Sequence, residues 1–265
     1  MSTYYVKIAR GLRHLEYFGE VWRCFSVFRR PLRMLAGYLG PFASYPFICE
    51  TRAGDRIQVA DRMDLVTTWI IYLRNEYPVK PEDQVIVDCG ANIGVFTIYS
   101  ASIAPRSQVF AIEPFPETFQ SLRENVELNS LDSRVACLPV ALAATDGPVN
   151  MYAAPHVASQ ARQVIRPSGA DTVSVPALSL SSLFGRLDLP MIDLLKMDIE
   201  GSEHTVLLHA DPCALARVKR IAVEYHQNCP KKPLFDHLQR SGFSLRQDRI
   251  LGCDYGVAEF VRSSD

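Results

Sequence analysis

The 265-residue chain reads as an α/β protein built on a mainly parallel sheet, and three observations carry that reading. From Gln84 onward, short apolar runs alternate with helical patterns of ten or so residues, the pattern of right-handed βαβ units. The runs "QVIVD" and "IDLL" are almost continuously apolar, as strands covered on both faces must be. The first of them enters the turn "DCGANIG", whose glycines let a strand bend sharply into a helix.

The elements follow in order. Tyr5, Ile8, Leu12, Leu15, Phe18, Trp22, Phe25 and Phe28 recur at spacings of three or four, which predicts an amphipathic helix that Pro31 breaks. Leu32 to Leu39 fits a second short helix. Residues 46–60 read as short strands around "RAGDR", and "LVTTWIIYLRNEY" as a helix ending before Pro78. Strand "VIVD" precedes helix "NIGVFTIYSASI", and strand "QVFAIE" precedes helix "PETFQSLRENVELN". Strands "VACLPVALA" and "TVSVPAL" come next, then strand "IDLLKMD", helix "SEHTVLLHA", strand "RIAVEY" and helix "PLFDHLQRS". The chain closes on a strand pair near "FSLRQ" and "GVAEFVR". The predicted organisation is a basic helical extension over 1–49, an N-terminal cap over 50–80 and a core over 81–265.

Composition narrows the function. The net charge of -1 excludes a chain devoted to nucleic acid, and 48% hydrophobic with 22% charged residues suits a globular protein. Residues 1–49 nevertheless hold seven bases (Lys7, Arg10, Arg13, Arg23, Arg29, Arg30, Arg33) and two acids (Glu16, Glu20), a local +5 against -6 elsewhere. That segment is expected either to pack on the protein or a second copy, as a homodimer would, or to lie peripherally on an anionic membrane. The seven cysteines form no CxxC pair and the histidines show no metal-ligand spacing, so no metal site is predicted. Strand-end carboxylates still leave a divalent cation open. A cytoplasmic location is expected, with a membrane-peripheral one as the alternative. The uncharged stretch Met34 to Cys49 is broken by Gly37, Gly40, Pro41 and Pro46 and is too short to span a bilayer.

Ligands of open α/β sheets bind beyond the carboxyl ends of the strands. There the chain places Asp88, Gly90 and Gly94. The glycines are spaced GxxxG and lack the middle glycine that admits a pyrophosphate, which disfavours a dinucleotide. S-adenosylmethionine (SAM) carries positive charge and no phosphate, and an acid beside the turn suits it better. Glu113 ends the next strand, where a carboxylate can accept both ribose hydroxyls; NAD and SAM enzymes share this device. In "IDLLKMDIEGSE", Lys196, Asp198 and Glu200 fall at period two, hence on one face if the strand runs that far. Lys196 is expected to pair with Asp88 or Glu224. Glu203 suits a helix start, and "AVEYHQ" brings Glu224 and His226 to the following strand tip.

Taken together, "VIVDCGANIGVFTIYSA", "FAIEPFPETFQSLRENVELN" and "IDLLKMDIEGSEHTVL" resemble the FkbM family of SAM-dependent methyltransferases over roughly residues 50–225. The resemblance implies a class I methyltransferase (Rossmann-like) fold, with a mainly parallel seven-stranded sheet and helices on both faces. It also implies methyl transfer to a hydroxyl of a sugar, glycan or polyketide-type metabolite. Cofactor contacts are expected from Asp88, Gly90, Ala91, Asn92, Gly94 and Glu113, with Pro114 and Phe115 beside it. Asp198 and Glu200 would stand near the methyl and its acceptor. His226 or Asp198 is the expected general base, and Glu200 the residue that orients the acceptor. Where the family commonly has "LD" before its fourth core strand, this chain has Leu180-Ser181. Tyr77 and residues 154–169 are expected to wall the acceptor pocket, the latter as a lid. Two rival functions are an NAD-dependent oxidoreductase and a non-catalytic SAM-fold assembly or membrane module; the acids at 88, 113, 198 and 200 speak against the second.

Overall fold

A computed structural model describes residues 19–39, 43–153, 171–226, 230–252 and 255–263. The expected lid over 154–169 lies outside them, as does the first part of the amphipathic stripe. The chain divides into two compact units, Met1–Glu76 and Tyr77–Asp265.

In the first unit, helix α1 (described over 19–27) is followed by α2 (Pro31–Leu39), the antiparallel hairpin β1 (Phe47–Glu50) and β2 (Arg56–Val59), and α3 (Arg62–Arg74). Pro31 opens α2, since a proline at a helix start forfeits no hydrogen bond. Asp61 caps α3 by accepting from the amides of Met63 and Asp64. Glu20 ties α1 to α3: its carboxylate accepts from Trp69 Nε1 at 2.7 Å and pairs with Arg74 Nε at 2.9 Å. Of the described part of the stripe, Phe28 is buried, but Trp22 is 80% exposed and Phe25 also faces outward. Cys24, between them, is the buried residue of that turn.

The second unit holds a seven-stranded sheet made of β3 (Val85–Cys89), β4 (Gln108–Ile112), β5 (Val135–Leu138), β9 (Leu194–Met197), β10 (Arg220–Tyr225), β11 (Phe243–Gly252) and β12 (Tyr255–Arg262). The order is β11-β12-β10-β9-β3-β4-β5, parallel from β10 through β5, with β12 antiparallel to both of its neighbours. A small three-stranded sheet, β6 (Ala141–Leu142), β8 (Asp171–Leu178) and β7 (Gly147–Ala153), stands apart. The single run expected from "VACLPVALA" is therefore split at Pro139, which has no amide hydrogen to continue a ladder. Helices α4 (Val95–Ile103), α5 (Pro116–Leu128), α6 (Leu180–Leu187), α7 (Glu203–Leu208), α8 (Pro212–Leu215) and α9 (Lys231–Arg240) connect the strands.

Every residue of β9 is buried, which confirms a strand covered on both faces and places Lys196 inside. The chain leaves β3 for β4 on one side and returns to β9 on the other, so strand order reverses between β3 and β9. Cα registers of Asp88 with Lys196, and of Asp88 with Ala111, bring the ends of these strands level. The cleft beyond the strand tips is set by that reversal.

Candidate functional site at the switch point

The glycine turn is built by backbone geometry that side chains disfavour. Gly90 has φ +76°, Asn92 +51° and Gly94 +90°. A Cβ on Gly90 would collide with the carbonyl of Asp198, and one on Gly94 would sit 2.7 Å from Leu122 Cδ1. Gly90 therefore lets the β3 and β9 tips close on one another, and Gly94 lets α4 approach α5. The amides of Gly90 and Ala91 both donate to the Ile112 carbonyl at 3.0 Å, locking the turn to the end of β4.

Glu113, 7% exposed, stands beside the turn. Its Oε2 accepts from the Asn92 amide at 2.9 Å and its Oε1 from the Phe115 amide at 3.0 Å. An ionised carboxylate oxygen has capacity beyond one donor, so both oxygens can still accept from hydroxyls.

Asp88 is placed differently from expectation. The sequence has it projecting into a cleft, whereas its side chain is 0% exposed. Its Oδ2 accepts from Thr97 Oγ1 at 2.7 Å, and its Oδ1 lies 3.1 Å from Lys196 Nζ. Lys196 also donates to the Gly90 carbonyl at 2.9 Å, and its charge stands over the rings of Tyr77 and Phe96. Burial pushes the pKa of this lysine down, but the charges of Asp88, then Asp198, outweigh it and hold the pKa above the ordinary lysine range. Of the two partners the sequence offers Lys196, Asp88 is the one it takes. Asp88 thus holds up the floor of the turn, through Lys196, with its carboxylate buried. Phe115 is likewise not turned outward: it is buried with Ala141, Met151 and Val175.

The period-two reading of Lys196, Asp198 and Glu200 fails beyond the strand. β9 ends at Met197, and Glu200 and Gly201 take φ of +57° and +99°. The tip is a bent loop held from below by Glu203, fully buried, whose Oε1 accepts from the Ile199 amide at 2.7 Å and Oε2 from Gly201 at 2.9 Å. Sequence reasoning assigns Glu203 only to the helix dipole. The signal for its larger role is its position just past an Asp-x-Glu-Gly bend, where loop amides lack partners.

Around this loop the strand tips assemble an acidic cluster. Tyr77, 4% exposed, donates toward Glu224 Oε2 at 3.0 Å and Asp198 Oδ2 at 3.3 Å. Glu224, expected as a partner for Lys196, instead joins Tyr77. His226 Nε2 lies 3.4 Å from Glu203 Oε1. Burial and the Asp198 charge push Glu200 up to about 8 and raise Glu224 well above the usual carboxylate range. Burial would lower His226, yet the Glu203 carboxylate, followed by Glu224 and Asp198, lifts it to about 9. A histidine in that state holds its proton at neutral pH, which counts against His226 as the general base and leaves Asp198, the other residue expected in that role, in place.

Residues 88–243 match the methyltransferase FkbM domain, more than half of the chain. The chain belongs to the FkbM methyltransferase family. Three curated relatives place it further. It is 30% identical over 215 residues to the AMB antimetabolite synthetase AmbE of Pseudomonas aeruginosa, covering 65% of this chain but only 10% of that long protein. It is 27% identical over 184 residues to the 31-O-demethyl-FK506 methyltransferase FkbM of Streptomyces tacrolimicus, covering 58% and 70% of the two. It is 28% identical over 169 residues to the hexuronic acid methyltransferase AglP of Haloferax volcanii, covering 64% and 67%. A crystal structure of a methyltransferase FkbM from Methylobacillus flagellatus KT aligns at TM-score 0.50 and 14% identity, over 76% of this chain and 54% of that one. That likeness bears on the fold, which is the SAM-dependent methyltransferase fold. As an FkbM methyltransferase the chain fits its donor: the Gly90 cradle, Glu113, and a buried Asn92 Oδ1 that no protein group satisfies among the described residues all converge on one turn. Among the described residues no helix is long and apolar enough to cross a membrane.

Proposed function

We propose that the protein is a SAM-dependent O-methyltransferase acting on a hydroxyl of a sugar or polyketide-type small molecule. The observation that carries the proposal is the adjacency of two unlike surfaces. A glycine turn with the Glu113 carboxylate sits beside a cluster of Tyr77, Asp198, Glu200 and Glu224 at the next strand tips. The first surface suits an adenosyl group, and the second suits a hydroxyl that must be oriented and relieved of its proton.

When bound, SAM supplies a methyl group whose bond to sulfur is exchanged for one to the acceptor oxygen. The residues that would hold it are Gly90, Asn92, Gly94 and Glu113. Tyr77 keeps Asp198 and Glu224 fixed as hydrogen-bond acceptors for the incoming hydroxyl. Glu200 is the proton acceptor in this reading. Its backbone is held in the left-handed region, and although burial leaves most of it protonated at neutral pH, the ionised fraction is more basic than an ordinary carboxylate. Two relatives support the acceptor class through their names, one a demethyl-FK506 methyltransferase and the other a hexuronic acid methyltransferase.

The test is a mass-spectrometric screen for a gain of one methyl group, with SAM as donor, across a panel of hydroxylated macrolides and uronic-acid sugars. Methylation of neither class overturns the acceptor assignment. With an acceptor in hand, Glu200→Gln should slow the single-turnover rate by roughly 10²–10⁴-fold, the range of general-base catalysis. An unchanged rate removes Glu200 from the role.

A further inference from the structure

We infer that Asp198, Glu224 and His226 form a binding site for a divalent cation of the magnesium or manganese class at the acceptor end of the cleft. One ligand atom from each of the three lies within 4.8 Å of the other two, close enough to share an ion. They come from two adjacent parallel strands, Asp198 just past β9 and Glu224 and His226 at the end of β10, so the sheet fixes their spacing.

Three further features point to a ligand here and not merely to clustered acids. The Nε2 of His226 is a buried atom with no hydrogen-bond partner among the described residues, although Glu203 Oε1 lies 3.4 Å away. Second, acidic side chains outnumber basic ones. Asp88, Asp198, Glu200, Glu203 and Glu224 gather around Lys196 and His226, and Lys196 is turned to Asp88 at 3.1 Å while remaining 3.8 Å from Asp198. Third, the donor set is mixed. Two carboxylates with one imidazole, once the cation displaces the imidazole proton, suit an ion that prefers oxygen and tolerates nitrogen, and three protein ligands leave positions open for water and a substrate.

The chemistry of such an ion narrows the acceptor. Open positions on one side of it would be filled best by two neighbouring oxygens, so the preferred acceptor is a vicinal diol or a hydroxyl beside a carbonyl or carboxylate. Its use in catalysis rests on the methyl-transfer reading above, but its binding does not, and the experiment separates them. The full-length protein is titrated with Mn²⁺ without SAM or acceptor, the free ion being followed by electron paramagnetic resonance. A single saturable site, displaced by excess Mg²⁺, is the expected result. Glu224→Gln and His226→Gln should each abolish the saturable phase. Calorimetric SAM titration of the same preparations reports whether each variant is folded and whether the donor site stands. No saturable Mn²⁺ binding by the wild-type protein overturns the inference outright, with no variant needed. Binding equally tight in folded Glu224→Gln and His226→Gln overturns it as well. Intact SAM binding in either case would leave the methyltransferase assignment untouched.

Discussion

The buried pair of Lys196 and Asp88 allows a quantitative test of how the cleft is supported. Their charged atoms are 3.1 Å apart with both side chains essentially inaccessible. At an effective dielectric of about 20, Coulomb's law gives an attraction of about 5 kcal/mol at that separation. Desolvating the two ions consumes much of this, so the pair itself contributes little net stability. Removing one partner is another matter. Lys196→Met leaves the Asp88 carboxylate at 0% exposure with only Thr97 for company, and should cost ~3–5 kcal/mol. Asp88→Asn strands the lysine and should cost a similar amount. In the double variant no uncompensated ion remains, and the amide oxygen that Asp88→Asn introduces can still accept from Thr97. The double variant should therefore be less destabilised than the sum of the two singles by ~2 kcal/mol or more. Urea unfolding of all four proteins, followed by tryptophan fluorescence and circular dichroism, completes the cycle. Additive effects would falsify the claim that the two charges are buried for one another.

The donor turn and the first unit provide three more expectations. Gly90→Ala must push a methyl into the Asp198 carbonyl at a left-handed φ, so SAM affinity measured by calorimetry should fall at least ~10-fold, with ~1–2 kcal/mol of strain from the dihedral alone; an alanine variant binding normally refutes the cradle. Glu113→Ala should cost ~1.5–3 kcal/mol in SAM binding, the range for hydrogen bonds to an ionised group, while Glu113→Gln keeps one acceptor and loses less. Asp64 lies buried in α3 with its carboxyl raised to about 6 by burial. Its folded pKa exceeds its unfolded value, so the folded state binds the extra proton. Its contribution is then fullest below pH ~4 and is lost as pH rises to ~6, by at most about 3 kcal/mol. Asp64→Asn keeps the acceptor for the Ala60 amide and should flatten that slope in pH-dependent urea midpoints. A wild-type slope identical to the variant's would refute it.

The fold was largely legible because its signals are local. Apolar strands, helical spacings and a glycine turn each occupy a dozen residues or fewer, and the strand-helix alternation leaves a parallel sheet as the economical arrangement. The family, too, was readable from motifs spread over three segments. Glu113 beside the turn followed from strand order alone, and so did the choice of Asp88 or Glu224 for Lys196, since parallel neighbours bring residues at strand ends together. What the sequence determined by itself was therefore the class of the protein and the glycine turn proposed to hold its donor.

Tertiary structure decided which way the acids face. Asp88 and Glu113 read alike in sequence, as acids ending apolar strands. Only packing turns Asp88 inward to a lysine and leaves Glu113 beside the turn. The period of two after Lys196 broke because Glu203 supplies acceptors for amides of a loop, and a hydrogen bond from four residues away is not a periodicity. The cluster of Tyr77, Asp198, Glu224 and His226 spans nearly 150 positions of chain, and no window of sequence contains it. Charge is a property of residues, but its sharing among them depends on distances that only the folded sheet sets.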